Sequence, residues 1–215
     1  MPRLMAALYD PVMRLIERRG LAAWRAELLA ATHGRVLEVG AGTGLNLPYY
    51  PEAVTTLVLA EPDPHMRSAL RRRVGAYGRR LTISDADAES LPFADGVFDA
   101  VVMTLVLCTV PDVSRALAEA RRVLAPGGTL AFIEHVGGPE GSRRLRWQRR
   151  VEPAWRRVAG GCRLTRRTVE SIEDAGFTVR WLKREDLPGA LSLGSPVVRG
   201  VALTPDPASA LQTVR

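Results

Sequence analysis

A doubly wound, mostly parallel α/β sheet of seven strands is the fold class this sequence predicts, on three observations. Short apolar runs alternate with helical stretches through the middle of the chain. The first of these runs ends in a turn with glycine at every second position. At 215 residues, 47% of them hydrophobic, the chain is also long enough to bury both faces of such a sheet. The length fits one domain, residues 1–215, better than two.

The elements follow in order. Between Leu4 and Ala31 apolar residues recur at helical spacing, interrupted at Pro11 and Gly20, so residues 1–33 read as a helical cap of two or three helices. Five strands are expected at Arg35–Val39, Thr55–Ala60, Leu81–Ser84, Phe98–Met103 and Thr129–Glu134, with helices at Pro64–Val74 and Val113–Leu124. Residues 139–164 read as a helical insertion after the fifth strand, Arg-rich from Ser142 to Val158 and carrying Trp147 and Trp155. Thr165 is the expected N-cap of a helix ending near Gly176, and Phe177–Lys183 and Pro196–Leu203 are the closing strands. The tail, residues 205–215, reads as frayed.

Composition narrows the function classes. No run of roughly eighteen apolar residues is present, and the N-terminus lacks the order of a secretory signal, so a soluble cytoplasmic protein is expected. Cys108 and Cys162 are the only cysteines, which is poor evidence for a disulfide framework. His33, His65 and His135 lie far apart in sequence, and neither cysteine has a partner at zinc-site spacing, so no metal is expected. The formal charge is +7, with Lys183 the only lysine among thirty basic residues. Arginine usage this lopsided is weak support for a nucleic-acid or anionic-membrane partner.

The chemistry is concentrated in Val36-Leu-Glu-Val-Gly-Ala-Gly-Thr-Gly-Leu-Asn46. Glycine accepts positive φ and lets a ligand approach the backbone where a Cβ would block it. A dinucleotide fingerprint needs Gly or Ala at position 45 after Gly40 and Gly42, but position 45 is Leu and the third glycine is Gly44. Glu38 adds a carboxylate two residues before the first glycine, suited to a cationic cofactor without pyrophosphate. Glu61 ends the second strand, where a carboxylate accepts from ribose hydroxyls, and Pro-Asp-Pro follows it. Asp87-Ala-Glu-Ser-Leu-Pro-Phe93 and Leu124-Ala-Pro-Gly-Gly128 complete the set.

In this order the four motifs resemble those of the class I methyltransferases, the Rossmann-like enzymes that use S-adenosylmethionine and release S-adenosylhomocysteine. The resemblance implies a cofactor site of Glu38, Gly40, Ala41, Gly42, Gly44, Asn46, Glu61, Pro62, Met66, Asp87, Ala88, Thr104 and Leu105. Glu38 would lie near the amino acid moiety, Glu61 at the ribose, and Asp87 and the backbone after it at adenine.

Methyl transfer from a sulfonium is an in-line displacement, so the acceptor belongs over the carboxyl ends of the fourth and fifth strands. The segment after the fourth strand, Met103-Thr-Leu-Val-Leu-Cys-Thr-Val-Pro-Asp112, is apolar and lacks the N-P-P-Y of enzymes that methylate adenine or glutamine amines. A small-molecule acceptor is expected, and nucleic acid is disfavoured.

Thr104–Val110, Glu134-His-Val136, Trp147-Gln148, Glu152–Trp155 and Gly161–Arg166 further resemble the alkyl thiol methyltransferases. That implies a lipophilic thiol acceptor, with Cys108, Glu134, Trp147, Trp155 and Cys162 at its pocket. His135 is the candidate to assist ionisation of the thiol, since imidazole moves protons well near neutrality. The sequence departs from those relatives at Ala41, where they carry Cys, at Glu61, where they carry Asp, and in having no legible hydrophobic anchor. Alternatives left open are a phospholipid or quinone methyltransferase in peripheral contact with a membrane, and a module that binds S-adenosylmethionine or RNA without catalysis. Oligomeric state is not legible.

Overall fold

A computed structural model describes residues 3–75, 81–188 and 196–205, with side chains described from residue 9 onward. Most of the expected tail therefore lies outside the described residues. The seven strands are β1 (Gly34–Val39), β2 (Val54–Ala60), β3 (Leu81–Ser84), β4 (Phe98–Thr104), β5 (Leu124–His135), β6 (Thr178–Asp186) and β7 (Pro196–Leu203). They form one sheet in the order β3-β2-β1-β4-β5-β7-β6. β1 to β5 run parallel, and β7 lies antiparallel between β5 and β6. Strand order reverses between β1 and β4, which opens a crevice at their carboxyl ends, where open α/β sheets bind ligands.

The helices are α1 (Arg3–Ile16), α2 (Ala22–Leu29), α3 (Pro64–Val74), α4 (Val113–Val123), α5 (Arg143–Val158) and α6 (Thr168–Asp174). A wider turn at Glu17–Leu21 joins α1 to α2, broken by Gly20 at φ 145°. The interruption expected at Gly20 is therefore a kink, whereas Pro11 is accommodated inside α1. α3 and α4 start as their sequences predict. Asp63 caps α3 by accepting from the His65 and Met66 amides, and Asp112 caps α4 through Arg115.

Continuous apolar strands bury both faces. On one side Leu37, Val101, Met103, Leu130 and Phe132 pack with α4 residues Leu117 and Ala120 and with Ile172 of α6. On the other, Val36, Leu59, Val102 and Ile133 pack with Leu28 and Leu29 of α2 and Leu70 of α3. Each fully buried leucine contributes about 1.5–3 kcal/mol, enough for α2 to tie the N-terminal helices down over the crevice. No helix among the described residues is long and apolar enough to cross a membrane.

The helix predicted from Thr165 begins later, at Thr168. Thr165 instead gives both its amide and its hydroxyl proton to Glu152 of α5, at 2.8 and 2.7 Å. A tertiary partner thus outcompetes the local cap, and the bond ties α5 to the chain that returns toward the sheet.

Candidate active site

The glycine loop leaves β1 at the crevice. Gly40, Gly42 and Gly44 all have positive φ, at 66°, 58° and 84°, but they do different work. A Cβ on Gly40 would come within 2.5 Å of Val106 Cγ2, and one on Gly44 within 2.7 Å of Leu70 Cδ1. A Cβ on Gly42 would meet only the Gly40 carbonyl oxygen, at 4.0 Å, and point into open space. Gly40 and Gly44 therefore let the loop pack against the protein, while Gly42 keeps its outer side bare.

Charged side chains far away in sequence clamp that loop. Arg73 of α3 donates to the Thr43 carbonyl and to Asp10 of α1, both at 2.7 Å, and the Thr43 hydroxyl donates to Asp10 at 2.6 Å. Beneath the loop, Asn46 donates to Glu38 at 3.0 Å and Tyr50 donates to Glu38 at 2.7 Å. Arg25 of α2, itself buried, donates to Asn46 at 2.7 Å, to Thr104 at 3.1 Å and to Glu17 at 3.0 Å. Burial pushes the Glu38 carboxyl up to about 7, against the pull of Tyr50, Asn46 and Arg25.

Glu61 lies at the end of β2, as predicted. Its carboxylate accepts from the Gly42 amide at 2.8 Å and the Asp63 amide at 2.9 Å, and burial raises its pKa. Met66 is buried and Pro62 exposed on the same segment. Asp87 is exposed and accepts from the Glu89 amide at 2.8 Å, while Ala88 is buried. Arg122 fixes this stretch by donating to the Leu91 and Phe93 carbonyls, and Glu119 accepts the Leu91 amide. The motif's register is thus set from α4.

At the end of β4, Thr104 is followed by Leu105 at φ 61°, the only non-glycine with positive φ among the described residues. Such a conformation costs roughly 1–3 kcal/mol and persists only where its surroundings enforce it. Glu134 does so. One of its oxygens accepts from the Val106 and Leu107 amides and the other from Cys108, all at 2.9 Å. Glu134 was expected to line the acceptor pocket, but it is fully buried with both oxygens engaged, so it holds the loop instead. Burial raises its pKa to about 7, opposed by those three amides.

The structure brings together three residues that sequence spacing keeps apart. His135 Nδ1 lies 3.8 Å from Cys108 Sγ and 3.7 Å from Cys162 Sγ. The cysteines are buried and His135 is half-buried, and Leu105, Leu164, Val151 and Trp155 pack around the two sulfurs. Cys162 is held below the usual thiol range by its hydrogen bond from Cys108 and by His135, while the same pairing and burial push Cys108 up. Trp155 thus packs against the two-cysteine cluster. Trp147 does not; it is 51% exposed, with Arg150 stacked 5.6 Å from its ring centroid.

Arg25, Asp10, Tyr50 and Arg73 were not anticipated, since no local pattern distinguishes them from other charged or aromatic residues on helices and loops.

The family described as "Methyltransferase domain" matches residues 37–132. The human thiol S-methyltransferase TMT1B is 37% identical over 195 residues, which cover 87% of this chain and 79% of that protein. The demethylmenaquinone methyltransferase of Thermus thermophilus is 32% identical, covering 82% of this chain and 91% of that one. Among solved structures, a possible histamine N-methyltransferase from Thermotoga maritima superposes with a TM-score of 0.64 at 24% identity, over 95% of this chain and all of that one. With the strand order, the reversed crevice and the glycine loop, these likenesses place the chain among the class I S-adenosylmethionine-dependent methyltransferases, and it belongs to that family of enzymes.

Proposed function

We propose that the protein transfers a methyl group from S-adenosylmethionine to the sulfur of a small apolar thiol, giving a thioether and S-adenosylhomocysteine. The observation that carries this reading is the convergence of Cys108, His135 and Cys162, in an apolar setting, at the carboxyl ends of β4 and β5. That is where an in-line displacement places its nucleophile, and a relative 37% identical is a thiol S-methyltransferase.

In this reading Gly40, Ala41, Gly42 and Gly44 line the methionine end of the cofactor, with Asn46 and Glu38 beneath it. Glu61 takes the ribose hydroxyls, Pro62 and Met66 flank it, and Asp87 and Ala88 meet adenine. Thr104 and Leu105 close the site near the methyl group. His135 gives the acceptor thiol the help it needs to ionise; an ordinary thiol pKa of about 8.5 asks for little. Alignment supplies the larger part of the rate, roughly 7–11 kcal/mol for well-oriented reactants.

The reading is tested by incubating the protein with S-adenosylmethionine and a panel of small thiols, phenols and amines, following thioether and S-adenosylhomocysteine by mass spectrometry. Turnover confined to thiols is expected. Turnover of a demethylated quinone or of phosphatidylethanolamine, with none on thiols, would overturn it.

A pH dependence follows from Glu38. Its carboxyl, raised to about 7, is largely protonated in the free protein below that pH. The cationic cofactor favours the ionised form, so binding below pH 7 must expel a proton. Affinity is therefore expected to fall as pH drops from 7 to 5.5, approaching tenfold per unit, and Glu38→Gln should flatten the slope. A dissociation constant that stays level across that range in the wild type would contradict the assignment.

A further inference from the structure

We propose that Cys108, His135 and Cys162 form an open three-ligand zinc site whose fourth position takes the acceptor thiol as its thiolate. The inference rests on the thiol-acceptor reading and supplies the means by which His135 assists ionisation. It also replaces the expectation of a metal-free protein, which sequence spacing alone suggested.

Distances argue for it first. One ligand atom from each residue lies within 4.8 Å of the other two, and Nδ1 stands 3.8 and 3.7 Å from the two sulfurs. Zinc bonds of about 2.3 Å to sulfur and 2.0–2.1 Å to nitrogen, at tetrahedral angles, separate S from N by about 3.6 Å. The imidazole need move only a few tenths of an ångström relative to each sulfur, and the two sulfurs, within 4.8 Å of each other, would draw together to about 3.8 Å around an ion.

The chemistry of the donors agrees. Two thiolates and a neutral imidazole suit a borderline-soft d10 ion, and they balance a 2+ charge in apolar surroundings. Three protein ligands with one open position is the arrangement of catalytic rather than structural zinc. Glu134, next to His135 in sequence, does not join the set, since both its oxygens are taken by amides.

The scaffold is also fixed in advance. The Cys108 amide is held by Glu134, and the Arg163 amide, next to Cys162, donates to the Cys108 carbonyl at 2.8 Å. The two segments bearing the sulfurs are therefore bonded to each other, as ligand-positioning contacts should be.

The step balances without an oxidant or reductant. The acceptor thiol displaces water from the ion and its proton leaves to solvent. A lone pair of the thiolate sulfur forms the new C–S bond as the sulfonium C–S bond breaks, and that bond's electrons stay on the sulfur of S-adenosylhomocysteine. The neutral thioether is a weaker ligand than the thiolate, so it departs and water returns.

The test uses the full-length protein, reduced and anaerobic. Titration with Zn2+ against a chromogenic chelator should give one ion per chain, and Co2+ should give the thiolate charge-transfer and intense visible bands of a tetrahedral sulfur–nitrogen site. Cys162→Ser and His135→Ala should each weaken metal binding by roughly a hundredfold while still binding S-adenosylmethionine, which reports that they fold. Thiophenol should shift the cobalt bands of the wild type. Wild-type protein that binds S-adenosylmethionine but neither metal overturns the site, as does a Cys108–Cys162 disulfide whose reduction brings no metal affinity. Full-rate methylation of thiophenol by metal-free protein overturns the site and leaves the thiol reading standing. A cobalt site indifferent to thiophenol, in a protein that methylates no thiol, overturns the fourth-ligand role together with the thiol reading.

Discussion

Gly42→Val is expected to abolish detectable binding of S-adenosylmethionine, a loss of at least about a hundredfold, in a protein that still folds. The side chain would project from the bare side of the loop, where even a Cβ meets nothing closer than the Gly40 carbonyl at 4.0 Å. No packing is disturbed, so stability falls only by the strain of a branched residue at φ 58°, roughly 1–3 kcal/mol. At about 2–4 °C per kcal/mol for a chain this size, the melting temperature drops by a few to about ten degrees. Gly40→Ala should behave in the opposite way. Its Cβ would sit 2.5 Å from Val106 Cγ2, so the loop or the turn after β4 must move and the loss falls first on stability. Calorimetric titration beside thermal unfolding separates the two; Gly42→Val protein that melts normally and binds the cofactor at wild-type affinity would remove the loop from the cofactor site.

This contrast also marks what the sequence made legible. The alternating glycines, the carboxylates at Glu38 and Glu61 and the strand pattern could be read because each depends on local chemistry: a backbone conformation, a strand end, a run buried on both faces. Helix α3 begins at Pro64 as predicted because Asp63, one residue away, caps it. The residues that hold the loop obey no such local rule. Arg73 reaches Thr43 across thirty residues and Arg25 reaches Thr104 across seventy-nine. Thr165 illustrates the limit directly, since a sound capping signal yields to a glutamate thirteen residues away. His135 lies twenty-seven residues from each cysteine, outside the short ligand spacings by which structural zinc sites are read from sequence. Only the pairing of β4 with β5 and the return of the chain after α5 bring the three together.

Glu134→Ala should be the most destabilising single change near the site. The glutamate is fully buried, and its removal leaves the Val106, Leu107 and Cys108 amides without an acceptor. Each unpaired buried donor costs about 1–3 kcal/mol. Some of that is recovered as the turn relaxes, so a net loss of about 3–5 kcal/mol is expected, a fall of roughly 6–20 °C in melting temperature. Glu134→Gln should cost less, about 1–2 kcal/mol, because its carbonyl oxygen can keep the two amides that share one acceptor. The consequence reaches past stability. Leu105, at φ 61°, is tied to Ile133 through its own amide and leads into the turn that Glu134 anchors, so release of that turn would let Cys108 drift from His135 and loosen Thr104 against Arg25. Cofactor affinity and the geometry of the Cys108–His135–Cys162 cluster should therefore decline together in Glu134→Ala, at temperatures where the protein is still folded. Unfolding scans and cofactor titration on the two variants check this. If Glu134→Ala melts within two degrees of wild type, the three amides have another acceptor and the strained turn is held by something other than this carboxylate.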